Sequence, residues 1–113
     1  MAKKYLDRMI ELLSPLITGK FKGISFEYKH FFSGAALFAN GRICMTLTPV
    51  GFALKLPEQL RESLIKEEGA KKLRYFPKAP IKKDYVVLPK NLMNDQSTFN
   101  NIIEVCVNYA ANN

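Results

Sequence analysis

His30 is the only histidine in the chain, so a histidine-based triad or metal site would have to be built on it. It stands in Tyr28-Lys29-His30-Phe31-Phe32, at the expected end of a strand, with no partner set at a catalytic or ligand spacing. A surface or turn histidine is the simpler reading. The two cysteines, Cys44 and Cys106, form no CxxC and no Cys/His pair. No cation sits at a fixed spacing that would depress a thiol pKa, which a nucleophilic cysteine requires. Cys106 falls on the apolar stripe of a helical pattern and reads as a small core residue. Cys44 falls opposite Ile43, Met45 and Leu47, and is either half-exposed or covered by a helix. Ser33, Ser63 and Ser97 lack the strand-turn-helix setting of a nucleophile elbow. The glycines are scattered and no phosphate-cradling loop leads into a helix. Glu58, Glu62, Glu67 and Glu68 read as the solvated side of a helix. No catalytic residue, metal or cofactor is expected from these patterns.

Charge is the stronger signal. Seventeen Lys and Arg against ten Asp and Glu leave a net +7, and the excess is concentrated between Lys71 and Lys90, where Asp84 is the sole acid. Lys71, Lys72, Arg74, Lys78, Lys82 and Lys83 are interleaved there with Tyr75, Phe76 and Tyr85. Cations mixed with aromatic rings suit single-stranded nucleic acid, and cations alone suit an acidic protein surface. Two strands in this stretch would turn some of the rings into the core, which weakens the stacking reading. A solubilising edge is the plainest alternative.

The elements that must position these residues follow from periodicity. Leu6, Met9, Ile10 and Leu13 recur at helical spacing, giving a first helix that should end near Pro15. Phe21 to Lys29 alternates as a half-buried strand. Asn40-Gly41 between two apolar runs predicts a type I′ hairpin, since both residues tolerate positive φ. Thr48-Pro49-Val50-Gly51 is a second turn, followed by an alternating strand through Phe52, Leu54 and Leu56. Pro57 to Glu68 predicts a helix stopped by Gly69, and Lys72 to Phe76 and Tyr85 to Leu88 predict two more strands around a Pro77–Pro80 loop. A closing helix from Asp95 or Ser97 to Ala110 carries Phe99, Ile102, Ile103 and Cys106 on one face. The expected fold is α+β, two-layered, with an antiparallel sheet of five or six strands, helices on one face and the order α-β(4)-α-β(2)-α. One domain, 1–113, accounts for this length. No apolar run approaches the roughly 20 residues of a membrane span. No secretion signal is expected from the first residues, where Asp7 and Glu11 interrupt the apolar pattern, and unpaired cysteines suit a reducing cytoplasm.

The stretch from Phe31 to Tyr109 resembles the N-terminal domain of the TfoX/Sxy competence regulators. The resemblance is carried by Phe32-Ser33-Gly34, the apolar strand after it, and Asn40-Gly41-Arg42-Ile43-Cys44, which match the family's MFGG, strand and N/D-G-[KR]-[IM]-C pattern. Phe32-Ser33-Gly34 departs from the family's paired glycines. The later segments Gly51 to Leu56, Pro57 to Leu64, Tyr85 to Pro89 and Phe99 to Ala110 also line up. Full-length regulators of that family carry a second, helical domain, so the chain is either a piece of one or a stand-alone relative. The resemblance implies a non-enzymatic module in transcriptional regulation of competence, with another protein as partner, a transcription regulator among the candidates. Direct nucleic-acid binding through residues 71–90 is the alternative, and a small enzyme the third. Oligomeric state is open, a dimer included.

Overall fold

Alternating apolar residues on four successive strands come into one row across the sheet. Leu37 lies opposite Met45, Met45 opposite Leu54, and Leu54 opposite Val86; all four are fully buried. The computed structural model describes residues 3–31 and 33–112, so Phe32 of the hairpin motif lies outside the described residues. The elements are α1 (Lys3–Ile17), β1 (Phe26–Phe31), β2 (Gly34–Ala39), β3 (Arg42–Thr48), β4 (Gly51–Lys55), α2 (Glu58–Glu68), β5 (Lys71–Leu73), β6 (Lys82–Val87), α3 (Lys90–Asn94) and α4 (Gln96–Asn112). The six strands form one antiparallel sheet in the order β1-β2-β3-β4-β6-β5. This is the α+β architecture and element order expected from the pattern, with α3 added.

The helices cover one face. Met9, Leu13 and Ile17 of α1 and Phe99, Ile102, Ile103, Cys106, Val107 and Ala110 of α4 join the sheet row in a single core cluster. The reverse face is built differently: Lys29, Ala36, Thr46, Ala53 and Val87 lie side by side across β1, β2, β3, β4 and β6. Small residues there are shielded by their long neighbours, with Lys29 Nζ 4.6 Å from the centre of the Phe38 ring and Lys55 Nζ 5.8 Å from that of Tyr85.

Element ends depart from the sequence reading in physically interpretable ways. α1 runs past Pro15 to Ile17, because a proline in the last turn forfeits one backbone bond and Thr18 N–H still reaches Ser14 O at 3.1 Å. Pro57 caps α2 from just outside it, and Gly69 ends the helix at φ 82° while Ala70 N–H donates to Leu64 O at 3.1 Å. β1 begins at Phe26 rather than Phe21; Phe21 packs edge-on to the Phe26 ring, 5.9 Å between centroids. β5 stops at Leu73 and β6 starts at Lys82, so Arg74 to Ile81 form the connecting loop. α3 occupies a stretch the periodicity leaves unassigned. It is too short to show a period and starts directly after Pro89. Asp95 then starts α4, accepting from Thr98 N–H on its carboxylate at 3.3 Å and from Phe99 N–H on its carbonyl at 2.8 Å.

Candidate functional site

Gly34, Asn40, Arg42 and Cys44 of the hairpin motif are each tied into the fold by a contact of their own. Asn40 and Gly41 adopt φ 52° and 79°, the left-handed pair a type I′ turn requires. Asn40 is also fixed from β1's side: Ser25 N–H donates to its Oδ1 at 2.8 Å, and its own N–H donates to Ser25 O at 2.8 Å. Gly34 sits where β2 passes close to β3; a Cβ there would collide with Leu47 O and stand 2.7 Å from Thr48 Cγ2. Arg42 reaches across to the end of α4, its Nη1 donating to Ala111 O at 2.9 Å.

Cys44 explains why alternation along β3 misplaces a residue. The register slips between Leu37 and Phe38, pairing Leu37 with Met45 and Phe38 with Ile43, so Cys44 is the extra residue of a β-bulge. The bulge puts Cys44 and Met45 both into the core at 0 % exposure and sends Ile43 to the Phe38 side of the sheet. Of the two expectations for Cys44, burial under a helix is the observed one. Its Sγ–H donates to Leu37 O at 3.3 Å, and Cys106 Sγ–H donates to Cys44 O at 3.3 Å. Both thiols are free and buried. Burial first, then the neighbouring Cys44, pushes the Cys106 thiol well above its ordinary range, with Lys55 opposing in part. A thiol held protonated is a poor nucleophile. Tyr28, whose buried hydroxyl has no hydrogen-bond partner among the described residues, is shifted upward by burial and then by Cys44.

His30 is exposed on edge strand β1 opposite Ala35. Among the described residues no cluster of His, Cys, Asp and Glu could hold a metal ion.

The basic segment divides. Lys71, Lys72, Arg74, Lys78, Lys82 and Lys83 are all exposed, but they occupy two ends of the β5–β6 hairpin. Lys71 lies opposite Val87 at one end, whereas Lys82 lies opposite Leu73 at the other, where the loop begins. That loop is tied by Arg74 Nη1 donating to Ala79 O at 2.9 Å and Ala79 N–H donating to Phe76 O at 2.9 Å. Leu73 and Ala79 are buried beneath it, while Phe76 stands out at 61 % exposure. Tyr75 and Tyr85 are half-buried, and the Tyr85 hydroxyl is pushed strongly upward by burial and by Tyr75 beside it. The single acid of the segment, Asp84, lies 3.8 Å from Arg61 Nη1. Phe76, Lys78, Lys82 and Lys83 make no side-chain hydrogen bond or ion pair among the described residues.

A second feature was not visible in the sequence because its walls come from distant segments. A cleft of about 720 Å³ opens at the end of the sheet between the start of α1, the β3–β4 turn, the β6–α3 junction and Lys71.

The TfoX N-terminal domain model matches residues 22–110, spanning the hairpin, the sheet and most of α4. The chain belongs to the TfoX N-terminal domain family. No curated protein and no solved structure matches it. In this TfoX N-terminal domain the signature positions from Gly34 to Cys44 are accounted for by a close strand approach, a turn, a helix cap and a bulge. No helix among the described residues is long and apolar enough to cross a membrane.

Proposed function

We propose that this TfoX N-terminal domain is a non-enzymatic regulatory module of competence gene expression that acts in the cytoplasm by docking on another protein, a transcription regulator being the fitting class. The observation that carries this reading is Phe76, 61 % exposed on a loop tied by Arg74 and accompanied by the exposed Lys78, Lys82 and Lys83. An exposed aromatic among cations, on a loop closed by two hydrogen bonds, matches the anatomy of an interface hot spot, where one ring fills an apolar pocket and rim charges steer and orient an acidic partner. The hairpin motif supports the non-enzymatic part, because its Asn40, Arg42 and Cys44 side chains are engaged with backbone atoms of the same fold.

Nucleic-acid binding through 71–90 is the second reading, favoured by the same cations. It is the weaker one because Tyr75 and Tyr85 are half-buried, which leaves Phe76 as the exposed ring, and a stacking platform uses successive rings. Affinity capture from cells with and without nuclease separates the two. Capture of a regulator that survives nuclease and is lost on Phe76→Ala supports protein docking. Capture abolished by nuclease, or tight sequence-selective DNA binding by the isolated chain, replaces it with the second reading.

A further inference from the structure

We propose that the cleft at the end of the sheet is a binding site for a small amphipathic anion, a carboxylate or phosphate on an apolar body. Arg8 of α1, Lys71 of β5 and Lys90 of α3 all line it, and no Asp or Glu does. None of these three cations makes an ion pair or a side-chain hydrogen bond among the described residues. Cations gathered without a counter-charge repel one another, and an anion between them relieves that repulsion while the low-dielectric walls strengthen its attraction. Lys4 adds to the same field, its Nζ 5.2 Å from the centre of the ring of Tyr5, which lines the cleft.

The rest of the lining suits an apolar body. Leu47, Phe52, Val87, Leu88 and Met93 contribute to the walls, continuous with the core through buried Phe52 and Leu88. Val50 sits at the rim with 39 % of its surface exposed. Tyr5 and Asn94 supply neutral polar groups beside the cations. The volume, about 720 Å³, lies within the roughly 300–1,000 Å³ of small-molecule sites, which combine mostly apolar walls with a few placed polar groups. Gly51 keeps the β3–β4 turn close to the sheet here: at φ 132°, a Cβ on it would stand 3.0 Å from Val87 Cγ1. The cations come from positions 8, 71 and 90, so they converge only in the folded chain. This site is separate from Phe76 and does not rest on the partner-docking reading.

The test uses 8-anilinonaphthalene-1-sulfonate, itself an apolar anion, with decanoate, decanol and decyltrimethylammonium as competitors, followed by fluorescence and by amide chemical shifts. The expected result is saturable one-to-one binding, shifts confined to residues 47–52 and 87–94 and to the start of α1, and displacement by decanoate but by neither of the others. Arg8→Gln/Lys71→Gln/Lys90→Gln should weaken binding by about ten-fold or more, while Lys82→Gln/Lys83→Gln changes it by less than about two-fold. Should the triple variant lose its fold, Val50→Glu, which sets a carboxylate at the rim, is expected to give the same weakening. Absence of saturable binding at millimolar probe, equal displacement by decyltrimethylammonium, or equal loss in the Lys82/Lys83 control overturns the proposal.

Discussion

Arg42 Nη1 donates to the carbonyl oxygen of Ala111 at 2.9 Å, joining the hairpin turn to the last turn of α4 across 69 residues of sequence. The last carbonyls of a helix have no partner within it and carry the negative end of its dipole, so a guanidinium there satisfies both. Removing it by Arg42→Ala should cost about 1–2 kcal/mol, and Arg42→Lys, which keeps charge but not the planar donor, should recover part of that. Urea midpoints check this. A neutral Arg42→Ala would mean that α4 ends without help from the hairpin.

Gly34 and Gly41 should respond unequally to alanine. At Gly41 the cost is backbone strain at φ 79° with open space around the new Cβ, about 1 kcal/mol or somewhat more. At Gly34 the Cβ meets Leu47 O, a backbone atom that cannot rotate away, so β2 and β3 must separate and the loss should exceed about 2 kcal/mol. Equal midpoints for the two variants in thermal or urea unfolding would contradict the close approach.

How far the fold could be read from sequence depends on whether its determinants are local. Asn40-Gly41 announces its turn because the required φ values belong to those residues themselves, and Leu54 announces its face through its alternation with Phe52 and Leu56. Cys44 breaks that alternation through a slip set by its partner strand, which no count along β3 reveals. α3 has too few residues to display a helical period. The charge excess at 71–90 was legible as composition, but its division between Phe76 and the cleft was not, since Arg8 completes the cleft from the opposite end of the chain.

Ile103→Ala should cost roughly 2–5 kcal/mol, because a side chain with 1 % exposure in the middle of the core is truncated and a cavity remains. A shift near zero in the urea midpoint would place α4 outside the cooperative core. The expected loss is larger than that for Arg42→Ala, since the cap holds one end of α4 whereas Ile103 belongs to its packing face.

The pH dependence of stability follows from Cys106. Burial and its contact with Cys44 raise its pKa in the folded chain, so on raising pH the unfolded chain ionises first, from about 8.5 upward. The folded state then holds a proton that the unfolded state has lost. Its stabilisation is complete below that pH and declines above it, by up to about 1.4 kcal/mol per pH unit for one group. Tyr28 and Tyr85, shifted in the same direction, should steepen the decline above about pH 10. Urea midpoints at pH 7, 8, 9 and 10 should therefore be level at first and then fall, and Cys106→Ala should flatten the fall between pH 8.5 and 10 even though it lowers stability overall. Alkylation gives an independent reading: at pH 8 the native protein should react slowly at both thiols, and in denaturant, without reductant, both should be modified. Rapid labelling of the native chain, or a midpoint that rises with pH, would show that Cys106 is not held protonated beneath α4.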